Sequence, residues 1–171
     1  MSISVVCQLK RLPGVAVTGI RADARRLLRA LGEARAELTI SLVGDGAMHR
    51  LNREFRGKDR PTDVLAFAMR EGQRAPGDAA VLGDVVISVD TAVRQAQRRG
   101  ITTAAEVRTL LVHGVLHLLG YDHERSVAEA RRMKAMERRL ARSLRMENGE
   151  PGTANDKPAS PRNSSARRVA R

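Results

Sequence analysis

The chain has 171 residues, 42% of them hydrophobic and 29% charged, a composition that excludes disorder of the whole chain and suits one soluble domain. The net charge of +12 favours a polyanionic partner such as nucleic acid, although a basic soluble surface would explain it equally well. With two Phe, one Tyr and no Trp, the chain cannot build the aromatic platforms on which many RNA-binding modules stack bases.

Cys7 is the single cysteine, which excludes an intramolecular disulfide and a multi-cysteine zinc site. The first residues lack the basic start and the long apolar run of a signal peptide, and no later run is long enough to span a membrane. We therefore expect a cytoplasmic protein without membrane contact.

The first half of the chain alternates between strand and helix patterns. β-branched and apolar runs predict strands over residues 3–9 and 36–43. Apolar residues at helical spacing predict a helix from Thr18 to a stop at Gly32, and a second helix over residues 45–56 with Asp45 as its cap.

The second half predicts two strands followed by three helices. The strands cover residues 63–69 and 81–89, and Asp90 is expected to cap the helix that follows them. Residues 103–119 form a helix that is apolar on nearly every side, as expected of a helix enclosed by the fold. Residues 126–144 have an apolar stripe that predicts the last helix.

These elements predict an α+β domain over residues 1–146, with a mixed sheet of about four strands packed around the central apolar helix. That helix would carry metal ligands much as the metal helix of a metalloprotease does. Residues 147–171 lose periodicity and are rich in Pro, Gly, Ser and Arg, which predicts a disordered basic tail.

The segment HGVLHLLGYDH contains three of the four histidines of the chain. His113 and His117 are four residues apart, so a helix places them on one face, one turn apart. A turn after Gly120 can bring His123 over the same face. Three imidazoles leave one position of a zinc ion open, as in catalytic sites, where water can be activated near neutral pH. Structural or capping roles would explain one buried histidine better than three converging ones.

The same segment departs from the HExxH zinc-protease motif, because Gly114 occupies the position of the Glu general base. Gly114 could allow a strand or a substrate to approach the helix, or serve packing alone. Asp122 and Glu124 could orient a histidine or move a proton, but turn and surface roles are the simpler interpretation of both.

A basic cluster, Arg56, Lys58 and Arg60, follows the second predicted helix and could grip successive phosphates. Arg56 could also stabilise charge that develops on a phosphorane. Without the histidine motif, a solvated surface cluster would be the better interpretation. Asp63 and Asp84 flank strands and could shape the cleft, but turn and strand-end roles are the simpler interpretation of both.

HGVLHLLGYDH resembles the signature of the bacterial YbeY family of endoribonucleases and rRNA maturation factors, and the segments LNREFRGKDRPTDVLAF and LGDVVIS resemble its other shared segments. The resemblance covers roughly residues 36–146. It implies a zinc-dependent, single-strand-selective endoribonuclease that acts in maturation of the 16S rRNA 3′ end and in ribosome quality control. His113, His117 and His123 match the metal ligands of the family, and Arg56 matches an arginine needed for activity.

The implied cofactor is therefore one zinc ion, and the implied partners are single-stranded RNA, the 16S rRNA precursor and the ribosome, with no DNA partner expected. Two alternatives remain open at this point. One is a zinc-dependent peptidase, which Gly114 and the basic charge disfavour. The other is a ribosome assembly factor whose metal is mainly structural.

Overall fold

The computed structural model describes residues 2–69, 81–122 and 126–149. Within these ranges the chain forms four strands and five helices. In chain order they are β1 (Ser2–Cys7), α1 (Val17–Ala30), β2 (Glu37–Val43), α2 (Asp45–Arg56), β3 (Val64–Ala68), β4 (Val81–Ser88), α3 (Val89–Arg99), α4 (Thr103–Leu118) and α5 (Val127–Glu147).

The four strands form one mixed sheet in the order β1-β2-β4-β3. β1 pairs with β2 in parallel, and β2 pairs with β4 in parallel, whereas β3 runs antiparallel to β4. In the described part of the chain β3 is thus an edge strand. This α+β architecture with a four-stranded mixed sheet confirms the predicted fold class.

The two faces of the sheet are covered differently. One face packs against α1, α3 and α4 in the main core, where the central helix α4 lies over β3 and β4 and α5 packs on α1 and α4. The other face packs against α2 in a smaller core made of Val43, Met48, Leu65 and Val86. The sheet and its surrounding helices therefore place the C-terminal half of α4 against one face of the edge strand and α2 against the other.

Two predicted helix caps were wrong. Gly44 is the N-cap of α2, and Ser88 is the N-cap of α3, where its hydroxyl accepts a hydrogen bond from the Thr91 N–H at 3.3 Å. The Asp90 carboxylate instead accepts the Asp45 N–H at 2.9 Å, on the neighbouring helix. This contact between α3 and α2 arises because β2 and β4 are parallel neighbours, so the helices that follow the two strands begin side by side.

The Asp45 carboxylate completes this junction. It accepts hydrogen bonds from the hydroxyls of Ser88 and Thr91 at 2.7 and 2.8 Å and forms an ion pair with Arg94 at 2.7 Å. Burial by itself would raise the pKa of Asp45, but these hydrogen bonds and the Arg94 charge outweigh it, so the pKa lies below its ordinary value.

Two ion pairs, one buried and one with an exposed arginine, anchor the N-terminal half of α4. The Arg108 Nε donates to the Asp23 carboxylate of α1 at 2.9 Å, and both side chains are almost fully buried. The Arg99 guanidinium binds both carboxylate oxygens of Glu106 at 3.0 and 2.8 Å. Burial nevertheless raises the pKa of Glu106, because the loss of hydration outweighs the attraction of Arg99.

Most predicted boundaries agree with the observed elements within one or two residues. α5 continues to Glu147, into the segment that was predicted to begin the tail. Residues 150–171 lie outside the described ranges, so the division into a domain and a disordered tail stays a prediction.

Candidate functional site

The structure brings His113 and His117 together on one face of α4, as their spacing predicts. The Nε2 atoms of the two rings lie 3.1 Å apart. The ring centroids are 4.6 Å apart, with the ring planes at 73° to each other. Both side chains are half-buried on a helix whose other faces are enclosed. A rigid element therefore holds two imidazole nitrogens within hydrogen-bonding distance of each other.

Glu137 of α5 fixes the orientation of the first ring. The Nδ1 of His113 donates a hydrogen bond to the Glu137 carboxylate at 2.6 Å, because an ionised carboxylate only accepts. The neutral ring then keeps its lone pair on Nε2, the atom that faces His117. Metal-binding histidines usually have this arrangement, in which a carboxylate on one nitrogen fixes the tautomer of the other.

Glu137 is a site residue that the sequence patterns did not lead us to predict, although the spacing along α5 contains a signal for it. Met133 and Leu140 are buried on α5, and Glu137 lies four residues after the first and three before the second. This spacing places the carboxylate on the packed face of the helix. An acidic residue inside an apolar stripe indicates a polar partner on the opposing element.

The geometry of the pair fits a shared zinc ion. Two imidazole nitrogens bound to one tetrahedral zinc, each about 2.0–2.1 Å from the ion, stand about 3.3–3.4 Å apart. The observed Nε2–Nε2 distance of 3.1 Å is close to this value. Small adjustments of the two rings would suffice for joint coordination.

The third predicted ligand, His123, and the carboxylate of Glu124 lie outside the described residues. Within residues 2–69, 81–122 and 126–149, no group of three or more His, Cys, Asp or Glu side chains has a metal-binding arrangement. Three-histidine coordination therefore stays a prediction, supported by the two nitrogens that do converge.

Gly114 serves the packing of α4 against the sheet. A Cβ atom at this position would lie 2.7 Å from Val85 Cγ1 and 3.3 Å from Val64 Cγ2. Contacts between carbon atoms are ordinarily about 3.5–4.0 Å, so no larger residue fits without movement. The side of α4 where an HExxH motif would have its Glu is thus occupied by β3 and β4.

The arginine and lysine side chains predicted to contact phosphate lie at the C-terminal end of α2 and in the loop after it. Arg56 is the last residue of the helix, and Lys58 and Arg60 follow, all with exposed side chains. Gly57 has a φ of 65°, which reverses the chain, and the Asn52 side-chain amide donates to the Arg60 carbonyl at 2.6 Å. The loop therefore folds back on α2 and presents its cations to solvent.

The remaining carboxylates named from the sequence lie at three different places in the fold. Asp63 accepts hydrogen bonds from the Val64 N–H at 2.9 Å and the Gln95 amide at 3.0 Å, which indicates a structural role at the start of β3. Asp84 lies in β4 opposite Phe67 of β3, and Asp122 is half-buried after the end of α4.

Comparisons with known proteins identify what the chain is similar to. The family model described as "Endoribonuclease YbeY" matches residues 15–145. The protein named Endoribonuclease YbeY from Geobacter metallireducens is 45% identical over 148 residues, covering 86% of this chain and 98% of the relative. Its counterpart from Geobacter sulfurreducens is 46% identical over 150 residues, covering 87% and 98%.

A solved structure shares the fold. The solution structure of TM1509 from Thermotoga maritima superposes with a TM-score of 0.61 over 91% of this chain and 99% of that chain, at 24% identity. In addition, none of the helices within the described ranges has the length and apolar character that a membrane span requires.

Proposed function

The chain belongs to the YbeY family, and from this membership we propose that it is a zinc-dependent endoribonuclease that cuts single-stranded RNA. We further propose that its substrate is the 16S rRNA precursor, that it acts on the ribosome in 3′-end maturation and quality control, and that it works in the cytoplasm. Relatives that match over nearly their whole length carry the name endoribonuclease. The single observation that carries the proposal is the convergence of two histidine nitrogens at 3.1 Å, one of them oriented by a carboxylate.

His113 and His117 would hold the zinc ion through Nε2, and His123 would complete the ligand set. Glu137 would keep the first ring in the coordinating tautomer and resist its rotation. Zinc, when bound, supplies Lewis acidity: it withdraws electron density from a phosphoryl oxygen and makes water easier to deprotonate. The other contributions to RNA cleavage would come from side chains of the protein.

Arg56 and its neighbours would bind the RNA backbone. A guanidinium donates paired hydrogen bonds to phosphate oxygens, and its charge stabilises the additional negative charge on phosphorus in the transition state. The net charge of +12 would attract the polyanion from a distance and make binding sensitive to salt. Contacts to the RNA backbone and zinc binding would thus come from different elements, α2 with its loop and α4.

The packing of Gly114 disfavours the peptidase alternative. The motif of zinc peptidases needs a Glu beside the first histidine, and here that position faces Val85 and Val64 so closely that a side chain fits only if the helix or the strand moves. A peptidase would therefore need a general base from elsewhere in the chain.

The test is to measure zinc content and RNA cleavage on the same purified preparations. His117→Ala should lose zinc and cutting of single-stranded RNA, and Arg56→Ala should keep zinc while losing most of the cutting. His49→Ala should retain zinc, because His49 pairs with Asp59 on the surface of α2. Arg98→Ala, at an exposed position of α3, should retain cutting.

Unchanged RNA cleavage by His117→Ala would defeat the proposal, because a contaminating nuclease would then be the source. Cleavage that survives complete removal of zinc would defeat the metal-dependent form of it. Rescue of rRNA maturation by a folded, metal-free variant would favour the assembly-factor alternative instead.

A further inference from the structure

The two phenylalanines of the chain meet at the edge of the sheet. The rings of Phe55, near the end of α2, and Phe67, in the edge strand β3, have centroids 5.1 Å apart and planes at 73°, an edge-to-face contact. Phe67 is half-buried, but Phe55 is 58% exposed. The sequence indicated that no aromatic platform could form, yet the fold combines its two Phe rings into one surface.

The position of Phe55 on α2 explains its exposure. It lies seven residues after Met48 and four after Leu51, so all three share one face of the helix. Met48 is fully buried in the small core, and Phe67 packs at the margin of that core. The apolar face of α2 therefore extends past the sheet, and the Phe55 ring projects beyond the part that the core covers.

Cationic residues precede and follow Phe55 in the sequence, with two acidic residues, Glu54 and Asp59, among them. Arg53 and Arg56 lie on the last turn of α2, and Lys58 and Arg60 follow in the loop that folds back on the helix. All four side chains are exposed. An aromatic ring with several cations beside it is the combination used by proteins that bind single-stranded nucleic acid, in which bases stack on rings and phosphates meet cations.

We propose that Phe55 stacks against an unpaired RNA base while Arg56 and the adjacent cations hold the flanking phosphates. This inference rests on the proposed endoribonuclease function and assigns to it a determinant of single-strand selectivity. The bases of a duplex are stacked on their neighbours and paired, so they cannot lie against the ring, whereas an unpaired base can. Stacking on one ring is tolerant of base identity, so the contact selects structure and not sequence.

The charge of the surface selects RNA over a protein as the occupant. The exposed Phe55 ring lies in a stretch with four cations and two carboxylates, a net positive charge that favours a base with its phosphates, although Met69 after β3 is exposed as well. A protein interface would instead be expected to have a wider apolar centre with fewer charges.

The test measures binding without cleavage, on the full chain carrying His117→Ala. Three fluorescent probes of equal length are used: an oligouridylate, an abasic oligoribonucleotide and a hairpin duplex. Phe55→Ala should raise the Kd for oligouridylate about 5- to 150-fold, the range found for loss of one stacked base. It should leave the Kd for the abasic probe unchanged, and Phe55→Tyr should restore binding.

Two variants separate stacking from other effects. Met146→Ala removes an apolar side chain that is 70% exposed at the far end of α5, and it should bind all probes as the parent does. Arg56→Gln should weaken binding to the oligouridylate and the abasic probe alike. It should also reduce the slope of the logarithm of the binding constant against the logarithm of salt concentration by about one. Phe55→Ala should leave that salt dependence as it is.

Equal affinity of Phe55→Ala and its parent for oligouridylate would overturn the proposal and leave the ring as a contact for another macromolecule. An equal loss on oligouridylate and on the abasic probe would also overturn it, because the ring would then act without a base. Failure of the endoribonuclease proposal is detected separately, by the cleavage assay of wild type against His117→Ala.

Discussion

The close packing of Gly114 leads to a sharp prediction, because substitution by Ala adds a single methyl group against the sheet. That methyl group would lie 2.7 Å from Val85 Cγ1, where contacts of about 3.5–4.0 Å are ordinary. Val85 has a short, branched side chain and is completely buried, so the clash is relieved only if the helix or the strand moves. Overpacking of this kind costs about 1–3 kcal/mol.

A second effect of the substitution has the opposite sign. Ala favours a helix over Gly by about 0.8–1.0 kcal/mol, so the net loss for Gly114→Ala should be about 0–2 kcal/mol. Gly19 offers a matched control: it lies inside α1, and nothing stands within 4 Å of a Cβ added there. Gly19→Ala should therefore stabilise the protein. Subtracting the change in the free energy of unfolding of one variant from that of the other cancels the contribution of helix propensity. The remainder should equal the packing cost.

Urea unfolding monitored by circular dichroism measures both variants against wild type. Gly114→Ala should be less stable than Gly19→Ala by about 1–3 kcal/mol, or about 2–12 °C in melting temperature for a chain of this size. Combining Gly114→Ala with Val85→Ala should recover part of the packing cost, because the removed methyl groups leave room for the added one. Equal stability of the two single variants would refute the argument that Gly114 is required by close packing.

Glu137→Gln should weaken zinc binding about 10- to 100-fold in competition with a coloured chelator, because it removes the carboxylate that orients His113; unchanged affinity would contradict this. Arg108→Ala should lower the free energy of unfolding by about 1–3 kcal/mol in urea titrations, since the Asp23 carboxylate loses its closest cation but keeps the Arg26 guanidinium and the Asn148 amide, and an unchanged free energy of unfolding would count against it. Glu106 has a folded-state pKa above its ordinary value of 4.5, so the folded state binds more protons there, and the free energy of unfolding falls as pH rises from 4.5 to the folded-state pKa. Glu106→Gln should remove this part of the pH dependence of stability, and a pH dependence identical to that of wild type would contradict the argument. Chelation of zinc should leave the far-ultraviolet circular dichroism intact, because the apolar core does not depend on metal, whereas a collapse of the spectrum would assign the metal a structural role.

Much of the fold follows from local pattern. β-branched runs marked the strands, and the enclosed helix α4 was recognisable because it is apolar on nearly every side. The convergence of His113 and His117 was equally predictable, since a spacing of four residues dictates it once the helix is known. These features depend on residues that are close together in the sequence.

The features that the sequence did not predict depend on contacts between distant segments. Glu137 meets His113 across 24 positions of the chain, and the Asp90 carboxylate reaches the Asp45 N–H across 45 positions. The aromatic surface likewise exists only because β3 is an edge strand beneath α2. Strand order was not determined by local pattern, so none of these contacts could be read before the topology was known.

The faces of α4 explain how one helix can serve both the core and the candidate site. Gly114 permits close approach to β3 and β4, while His113, one residue before it, and His117, three residues after it, both lie to the same side of that contact. Glu137 of α5 contacts this side of the helix, and the ion pairs of Arg108 with Asp23 and of Glu106 with Arg99 hold its N-terminal half. The two imidazoles are therefore positioned by packing on several sides of the helix, which reduces the ordering that a bound metal would have to impose.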